Sequence, residues 1–552
     1  MSRRSVWIAL ALYLLATALL YGSAFRAGMH ESVPTLPSAP RARPIVRADP
    51  QWAVWAVARN ARTLATRPHR LFDAEQCFPD EHSLSLGEPV IALGLLGLPA
   101  WLLTREPVVI YNVALALHTL AAALAMYCLV AAWTGRASAG ISAGLLYAFS
   151  GIAVREVVHP YAADTTGIVL ALFFAERLFA RGRWRDAVGL TAATAFQLAT
   201  SFYPIVAAFL VALPFGTFLL VRYRPWKPSL AQMAAVVIAV AASATILLGP
   251  YVAQHDAGVF SRDLTLYFLP WSGHLPGRPA FFGWLGLTLA SLGILLPGRW
   301  SLDGPRPGLR WALVVAALLA AGMAAGPHGA IDLYSPLAAW LPGFDSVRLP
   351  HKISSGVHLV LSILAGLGFA GLLRVVEQSR QALGLPIAVA GVAACAASVA
   401  MTLPDYRAQP VRPKQEHVDF HRELSATGNA GAIYETPIPG FGGRFTWPGT
   451  AAYLVLAEFH RRPTSACYPS HPQPHRAELE QIERALPSPE AVGDLGRLGF
   501  TTIVVHHSQA GAGSKLRRNL FARAARRPGS LLRKVQTSPG LTAYAIERGE
   551  PR

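Results

Sequence analysis

Four groups of residues in this chain have the types and spacing to do chemistry. Asp49, followed by Pro50 and the run QWAVWAVARNARTLA, offers a carboxylate beside an amphipathic stretch. Between Glu75 and Glu88 lie Glu75, Asp80, Glu81, His82 and Glu88, acids and a histidine that could contact a polar substrate. The segment REVVHPYAAD places His159 and Asp164 just ahead of an apolar run. Finally, YSPLAAWLPGFDSVRLPHK closes on Arg348, His351 and Lys352. Three basic groups together could grip a phosphate or pyrophosphate, Arg through its bidentate fork and Lys as a point charge. Each group also has a plainer reading. Asp49 before Pro50 fits a helix N-cap with proline at the first helical position, and Asp164 fits an N-cap too. Exposed acids are ordinarily solvated, and basic residues at a helix mouth also anchor to lipid headgroups. What keeps Asp49 and Asp164 as candidates is the cost of a charge beside a membrane unless it is paired or wet.

The elements that must position these residues are mostly apolar. Hydrophobic residues make up 53% of the 552 and charged residues only 14%, against about 25% charged in a soluble chain. Several nearly uncharged windows of roughly 17–27 residues are long enough to cross a hydrocarbon core. A polytopic membrane protein follows. The net charge of +18 is spread through short connectors, as expected for charge that orients helices and meets anionic lipid, and no nucleic-acid motif accompanies it. Residues 1–25 combine Arg3 and Arg4 with a long apolar run, an uncleaved signal-anchor helix by pattern.

Apolar segments lie near 6–21, 88–104, 107–133, 137–154, 162–180, 186–202, 204–221, 230–250, 279–297, 311–326, 353–374 and 384–403. Basic connectors at Arg181 to Arg185, Arg222 to Lys227, Arg299 to Arg310 and Arg374 to Arg380 are each separated by a pair of segments, so all fall on one side, the cytoplasmic one. Counting back puts Gly135-Arg136 inside and Arg155 to Ala163 outside. Residues 24–106 then lie outside only if 88–104, short and broken by Gly94, Gly97 and Pro99, does not cross. About eleven transmembrane helices result, with the amino terminus in the cytoplasm. Asp49, Asp164 and the 334–352 segment share the opposite side. The run after Pro50 is expected to lie along the membrane surface with Trp52 and Trp55 at headgroup depth.

Beyond residue 403 hydropathy drops. Strand-like runs at 432–438, 501–505 and 541–546 and helical patterns near 450–460 and 477–485 suggest a mixed α/β domain of residues 404–552, also outside. Cys77 and Cys467 fall in polar regions of that same side and could pair; Cys128 and Cys395 lie in apolar segments. P-loop, GxSxG, HExxH and CxxC patterns are absent from the sequence.

Taken together, ADPQWAVW, FPDEHSLSLGEPVIALGLLGLPAWLL, YAFSGIAVREVVHP and LPGFDSVRLPHKI resemble the GT-C superfamily of membrane glycosyltransferases, and more narrowly the YfhO-like and mannosyltransferase-like bacterial membrane proteins. The resemblance covers most of residues 1–403. It implies transfer of a sugar from a polyprenyl-phosphate carrier to a glycan, lipid or protein acceptor of the cell envelope, at the outer face of the bacterial inner membrane. The family's loop-one acid falls on Asp49, as general base toward an acceptor hydroxyl, with Asp164 as a second acid and Arg348 and Lys352 stabilising the departing phosphate. A second acid beside Asp49 is missing, so no DxD pair supports a divalent metal, although a metal cofactor stays open. Two other classes fit the same residues: a transporter or flippase of lipid-linked sugars, and a non-catalytic envelope assembly protein recruiting partners through the basic run Lys515 to Arg527.

Overall fold

The computed structural model describes residues 2–36, 44–256, 281–296, 308–328, 332–340, 344, 347, 349–426, 431–438, 450–470, 473–507 and 514–547. Arg348 lies outside them. The chain begins with helix α1 (Arg3–Gly28), strand β1 (Ser32–Thr35), α2 (Pro44–Thr66), α3 (Ile91–Leu103), α4 (Pro107–Thr134) and α5 (Ala137–Ala148). Two single turns, α6 (Ile152–Arg155) and α7 (Pro160–Ala163), lead into α8 (Thr166–Arg181), α9 (Trp184–Leu198), α10 (Phe202–Arg222) and α11 (Leu230–Asp256). Helices α12 (Trp284–Leu295), α13 (Leu309–Ala324), α14 (Tyr334–Trp340), α15 (Ser354–Ser379) and α16 (Gly384–Ala400) complete the apolar part.

Seven helical stretches among the described residues are long and apolar enough to cross a membrane. They correspond to α1, α4, α5 continued through α6, α10, α11, α15 and α16, and the chain is a multi-pass membrane protein. Each of the other four expected spans also holds a helix, but α8, α9, α12 and α13 run only 16, 15, 12 and 16 residues. Helix α3, at 13 residues, measures about 20 Å and is too short for a core of about 30 Å. Helices α12 and α15 meet backbone to backbone. A Cβ on Gly368 would sit 1.9 Å from the Leu289 carbonyl oxygen, and one on Gly293 would sit 2.1 Å from that of Leu364, so only glycine permits this approach.

Helix α2 departs from the expectation in two ways. It runs from Pro44, so Asp49 lies inside it and Pro50 is an interior proline rather than the first helical residue. Pro44 supplies the preset φ at the start instead. Nor does the helix expose its tryptophans to lipid headgroups. Trp52 and Trp55 are buried, as is the whole run Ala53–Ala58, because α3 and α4 cover one flank and a helix from the far end of the chain covers another. Its polar face is buried also, and there it organises the loop that follows. Arg59, 1% exposed, donates to the backbone carbonyls of Leu71, Arg70 (2.9 Å) and Asp73 (2.9 Å) and to the Glu75 carboxylate (3.3 Å). Asn60 donates to the Pro89 carbonyl at 2.8 Å. Carbonyls turned toward the buried guanidinium are thus satisfied.

After the last apolar helix, β2 (Arg407–Pro410) pairs antiparallel with β1, joining the two ends of the apolar part. Helix α17 (Gln415–Ala426), β3 (Ala432–Thr436), α18 (Ala451–His460), α19 (Arg476–Ala485), α20 (Pro489–Arg497), β4 (Phe500–His506), α21 (Ser514–Ala524), β5 (Leu532–Ser538) and β6 (Leu541–Ile546) follow. The four later strands form one sheet in the order β3-β4-β6-β5, parallel between β3 and β4 and antiparallel elsewhere. Alternate residues face opposite sides: Ile433, Val504 and Ala543 pack with Phe420 and Leu424 of α17, while Tyr434, Val505 and Tyr544 pack with Phe521 of α21. Strand β5 carries no strand signal in its sequence, since Arg533, Lys534 and Val535 are all exposed on an edge strand and leave no alternation to read.

This region is fastened to the early loop. Cys77 and Cys467 form a disulfide across 390 residues. Arg62 bridges the Glu75 carboxylate (2.8 Å) and that of Glu458 on α18 (3.0 Å).

Candidate active site

Asp49 lies in the second turn of α2, with 23% of its side chain exposed. Its Oδ1 accepts a hydrogen bond from the Tyr468 hydroxyl at 2.5 Å, and its Oδ2 lies 3.5 Å from His159 Nε2. Helical spacing puts Trp52 three residues on, over the same patch. The Trp52 ring meets Tyr468 at 6.5 Å and Tyr161 edge-on at 6.0 Å, and Tyr161 in turn stands edge-on to His159 at 5.8 Å. The carboxylate therefore has an aromatic wall on one side and polar partners on the others.

His159 sits between the single turns α6 and α7, held by Pro160 at the start of the latter. Its Nδ1 is 4.0 Å from Glu156 Oε2, and the same oxygen lies 3.4 Å from Lys352 Nζ. Lys352 enters from the turn before α15, with its ammonium 5.5 Å from the centre of the Tyr203 ring. A continuous polar chain results: Tyr468, Asp49, His159, Glu156, Lys352. Burial lowers the His159 imidazole below its ordinary value, Lys352 lowers it further, and the two carboxylates only partly restore it. Burial pushes the Glu156 carboxyl up, but Lys352, His159 and His351 outweigh it and hold the group below its ordinary value. At neutral pH the centre thus offers a neutral imidazole and an ionised Glu156 beside Lys352.

The remaining candidates have other placements. Asp164 does not join this chain of contacts. Its Oδ1 accepts from the Thr166 backbone N–H at 2.9 Å, a capping bond at the start of α8, and its Oδ2 lies 3.5 Å from His118 Nδ1. Glu75 is committed to Arg59 and Arg62. Asp80 accepts from His475 at 2.5 Å, and His82 pairs with Asp73 at 2.9 Å. Glu81 contributes its carbonyl to Gln254 at 3.4 Å. Glu88 accepts from the Phe202 N–H at 3.4 Å and adds to the negative field around Tyr161. Lys352 is tied to Glu156, and Arg348 falls outside the described residues. Among the described residues no set of three or more His, Cys, Asp and Glu side chains is placed to hold a metal ion. Sequence reasoning misses Glu156, Trp52, Tyr161 and Tyr468 as site residues. Tyr468 follows Cys467 directly, so a firm Cys77–Cys467 pairing would draw it toward the early loop.

No family model matches the chain, and no curated protein matches its sequence. Solved structures do. The arabinofuranosyltransferase AftD from Mycobacteria superposes over 100% of this chain and 40% of its own, with a TM-score of 0.54 at 16% identity. The fold is that of the GT-C membrane glycosyltransferases. Two further solved structures superpose less closely: the oligosaccharyltransferase AglB from Archaeoglobus fulgidus (14% identity, 98% of this chain and 74% of that one, TM-score 0.47) and ArnT from Cupriavidus metallidurans (12%, 99% and 98%, 0.48). The chain spans about 40% of the length of AftD. Within this GT-C fold, Asp49 stands on the early loop's helix and Lys352 on the turn before α15, brought together by the 156–159 segment.

Proposed function

We propose that the protein transfers a sugar from a polyprenyl-phosphate carrier to a cell-envelope acceptor at the outer face of the bacterial inner membrane, with Asp49 as general base. The observation that carries this reading is the partly exposed Asp49 carboxylate, held by Tyr468 and His159 and linked through His159 and Glu156 to Lys352. A polyprenyl phosphate departs as an anion and needs no proton, so the enzyme must supply a base for the acceptor hydroxyl and positive charge for the phosphate. Asp49 takes the acceptor proton as the hydroxyl oxygen attacks the anomeric carbon and the bond to phosphate oxygen breaks. Lys352, with Arg348, offers positive charge for the anion released. Residues 404–552 form an extracytoplasmic α/β unit that completes the site through Tyr468.

The test is transfer from a radiolabelled polyprenyl-phosphate sugar by purified protein, wild type against Asp49→Asn. Loss of a general base should lower turnover by about 10²–10⁴-fold. Transfer that survives the substitution overturns the assignment. Donor movement across liposomes without transfer would favour a transporter.

A further inference from the structure

Away from the Asp49 centre, α21, β5 and the β5–β6 turn enclose a hollow of about 360 Å³. Arg518, Arg526, Lys534 and His507 line it together with the hydroxyls of Ser538 and Thr542, and no carboxylate does. The neighbouring basic residues are neutralised elsewhere: Arg517 pairs with Glu483 at 2.7 Å and Arg533 with Glu547 at 2.8 Å. Arg518, Arg526 and Lys534 make no ion pair among the described residues. The floor is rigid, since buried Phe521 packs on Tyr544 at 5.6 Å. Backbone geometry fixes one wall: the His507 N–H donates to the Gly540 carbonyl at 2.8 Å, at the turn where Gly540 has φ of +86°. Burial, then Arg518 and His506, lowers the His507 imidazole, and its Nε2 lies 3.2 Å from Thr542 Oγ1. The Ser538 hydroxyl oxygen is buried without a hydrogen-bond partner among the described residues.

Three cations on exposed residues around one concavity repel each other, and an entering anion relieves that repulsion in proportion to its charge. A single carboxylate would leave most of it in place, whereas a dianionic phosphate carries enough charge and three acceptor oxygens for guanidinium forks, an ammonium and a hydroxyl. The volume lies near the lower end of small-ligand sites, about 300–1,000 Å³, and leaves room for an organic group beyond the phosphate. We propose that this hollow is a binding site for a phosphomonoester on a small organic group of about hexose size, either free or carried on a lipid. The site is separate from the transfer reaction, and binding there is read without turnover.

The test uses the full chain in zwitterionic nanodiscs, titrated by calorimetry with glucose 6-phosphate, inorganic phosphate, glucuronate and glucose. Glucose 6-phosphate should bind roughly tenfold or more tighter than glucuronate, weaken as salt is added, and lose roughly tenfold or more in Arg518→Gln/Arg526→Gln. Lys534→Gln, on an exposed strand position, should weaken it as well, so one misfolded variant does not decide the question. Asp49→Asn should bind as the wild type does, which separates this site from the reaction centre. Repeating the titration in discs containing phosphatidic acid identifies the source: competition assigns a lipid headgroup, and unchanged affinity assigns the soluble ester. Unaltered binding in the folded variants, glucuronate binding as tightly as the phosphate ester, or no saturable phosphate binding would each overturn the proposal.

Discussion

At the scale of single residues, the proposed function casts Asp49 as the base and its hydrogen-bonding neighbours as the groups that aim it. The Tyr468 hydroxyl, 2.5 Å away, donates to Oδ1 of the carboxylate while Oδ2 faces His159. Tyr468→Phe should lower transfer by about tenfold through turnover, consistent with a charge-assisted hydrogen bond of about 1.5–3 kcal/mol, while thermal unfolding changes little. His159 sets the pH response. Its folded-state pKa is depressed from the ordinary 6.5, so the ring stays neutral as pH falls through that value and protonates only below it. The acid limb of kcat/KM should therefore lie below pH 6.5, and Lys352→Gln, by removing a lowering cause, should move it upward. Asp49, His159 and Lys352 were legible because each is a chemistry-bearing residue next to an apolar run, and span parity put them on one side. Tyr468 was not, because nothing in the local pattern of ACYPS points to a partner 419 residues away. Asp164 takes the capping bond that its place ahead of Thr165 and Thr166 allows, which residue type alone could not separate from a catalytic role.

At the scale of elements, two buried polar clusters hold the parts that present the site. In the first, Arg59 on α2 satisfies three loop carbonyls and Glu75. Arg59→Met would strand those carbonyls and part of a buried carboxylate, and should cost about 3–5 kcal/mol in unfolding measurements. In the second, Glu435 on β3 receives His506 of β4 at 2.5 Å and faces His421 of α17 at 3.7 Å and His460 of α18 at 3.9 Å, all buried. Burial, with His421 adding to it, lowers His460 to about 3. The contribution of a depressed histidine is complete above its unfolded value of 6.5 and is lost as pH falls toward 3. Burial would raise Glu435, but His506 and His421 depress it, so its contribution is also lost in acid. Melting temperature should fall steadily below pH 6.5, and His460→Gln should flatten that slope. The apolar helices were readable from run length. The start of α2 was not, because Asp-Pro fits an N-cap as well as a helix interior, and neither was the burial of α2, because an amphipathic pattern does not say whether lipid or protein covers it.

For the whole molecule, what holds the candidate site is the closure of the chain's last quarter onto its first hundred residues. Among the contacts that maintain it are the β1–β2 pairing, the Cys77–Cys467 disulfide, and the Arg62 bridge between Glu75 and Glu458. Replacing Cys77 and Cys467 with alanine should lower stability by about 2–5 kcal/mol, read as a drop in thermal midpoint that reductant reproduces in the wild type. Transfer should fall further than folding does, since Tyr468 is the neighbour of Cys467. The sequence let both cysteines be placed on one side of the membrane but could not show them adjacent, because proximity across 390 residues is set by topology and not by any local pattern.

That closure also orders events during synthesis. Tyr468 follows Asp49 by 419 residues, so during synthesis the carboxylate can meet His159 long before the hydroxyl that donates to it exists. A chain cut short anywhere before residue 467 would insert its helices and still lack the fastener and the hydroxyl beside Asp49. The covalent bridge and the hydroxyl beside Asp49 thus arrive together, from adjacent residues, after the apolar helices.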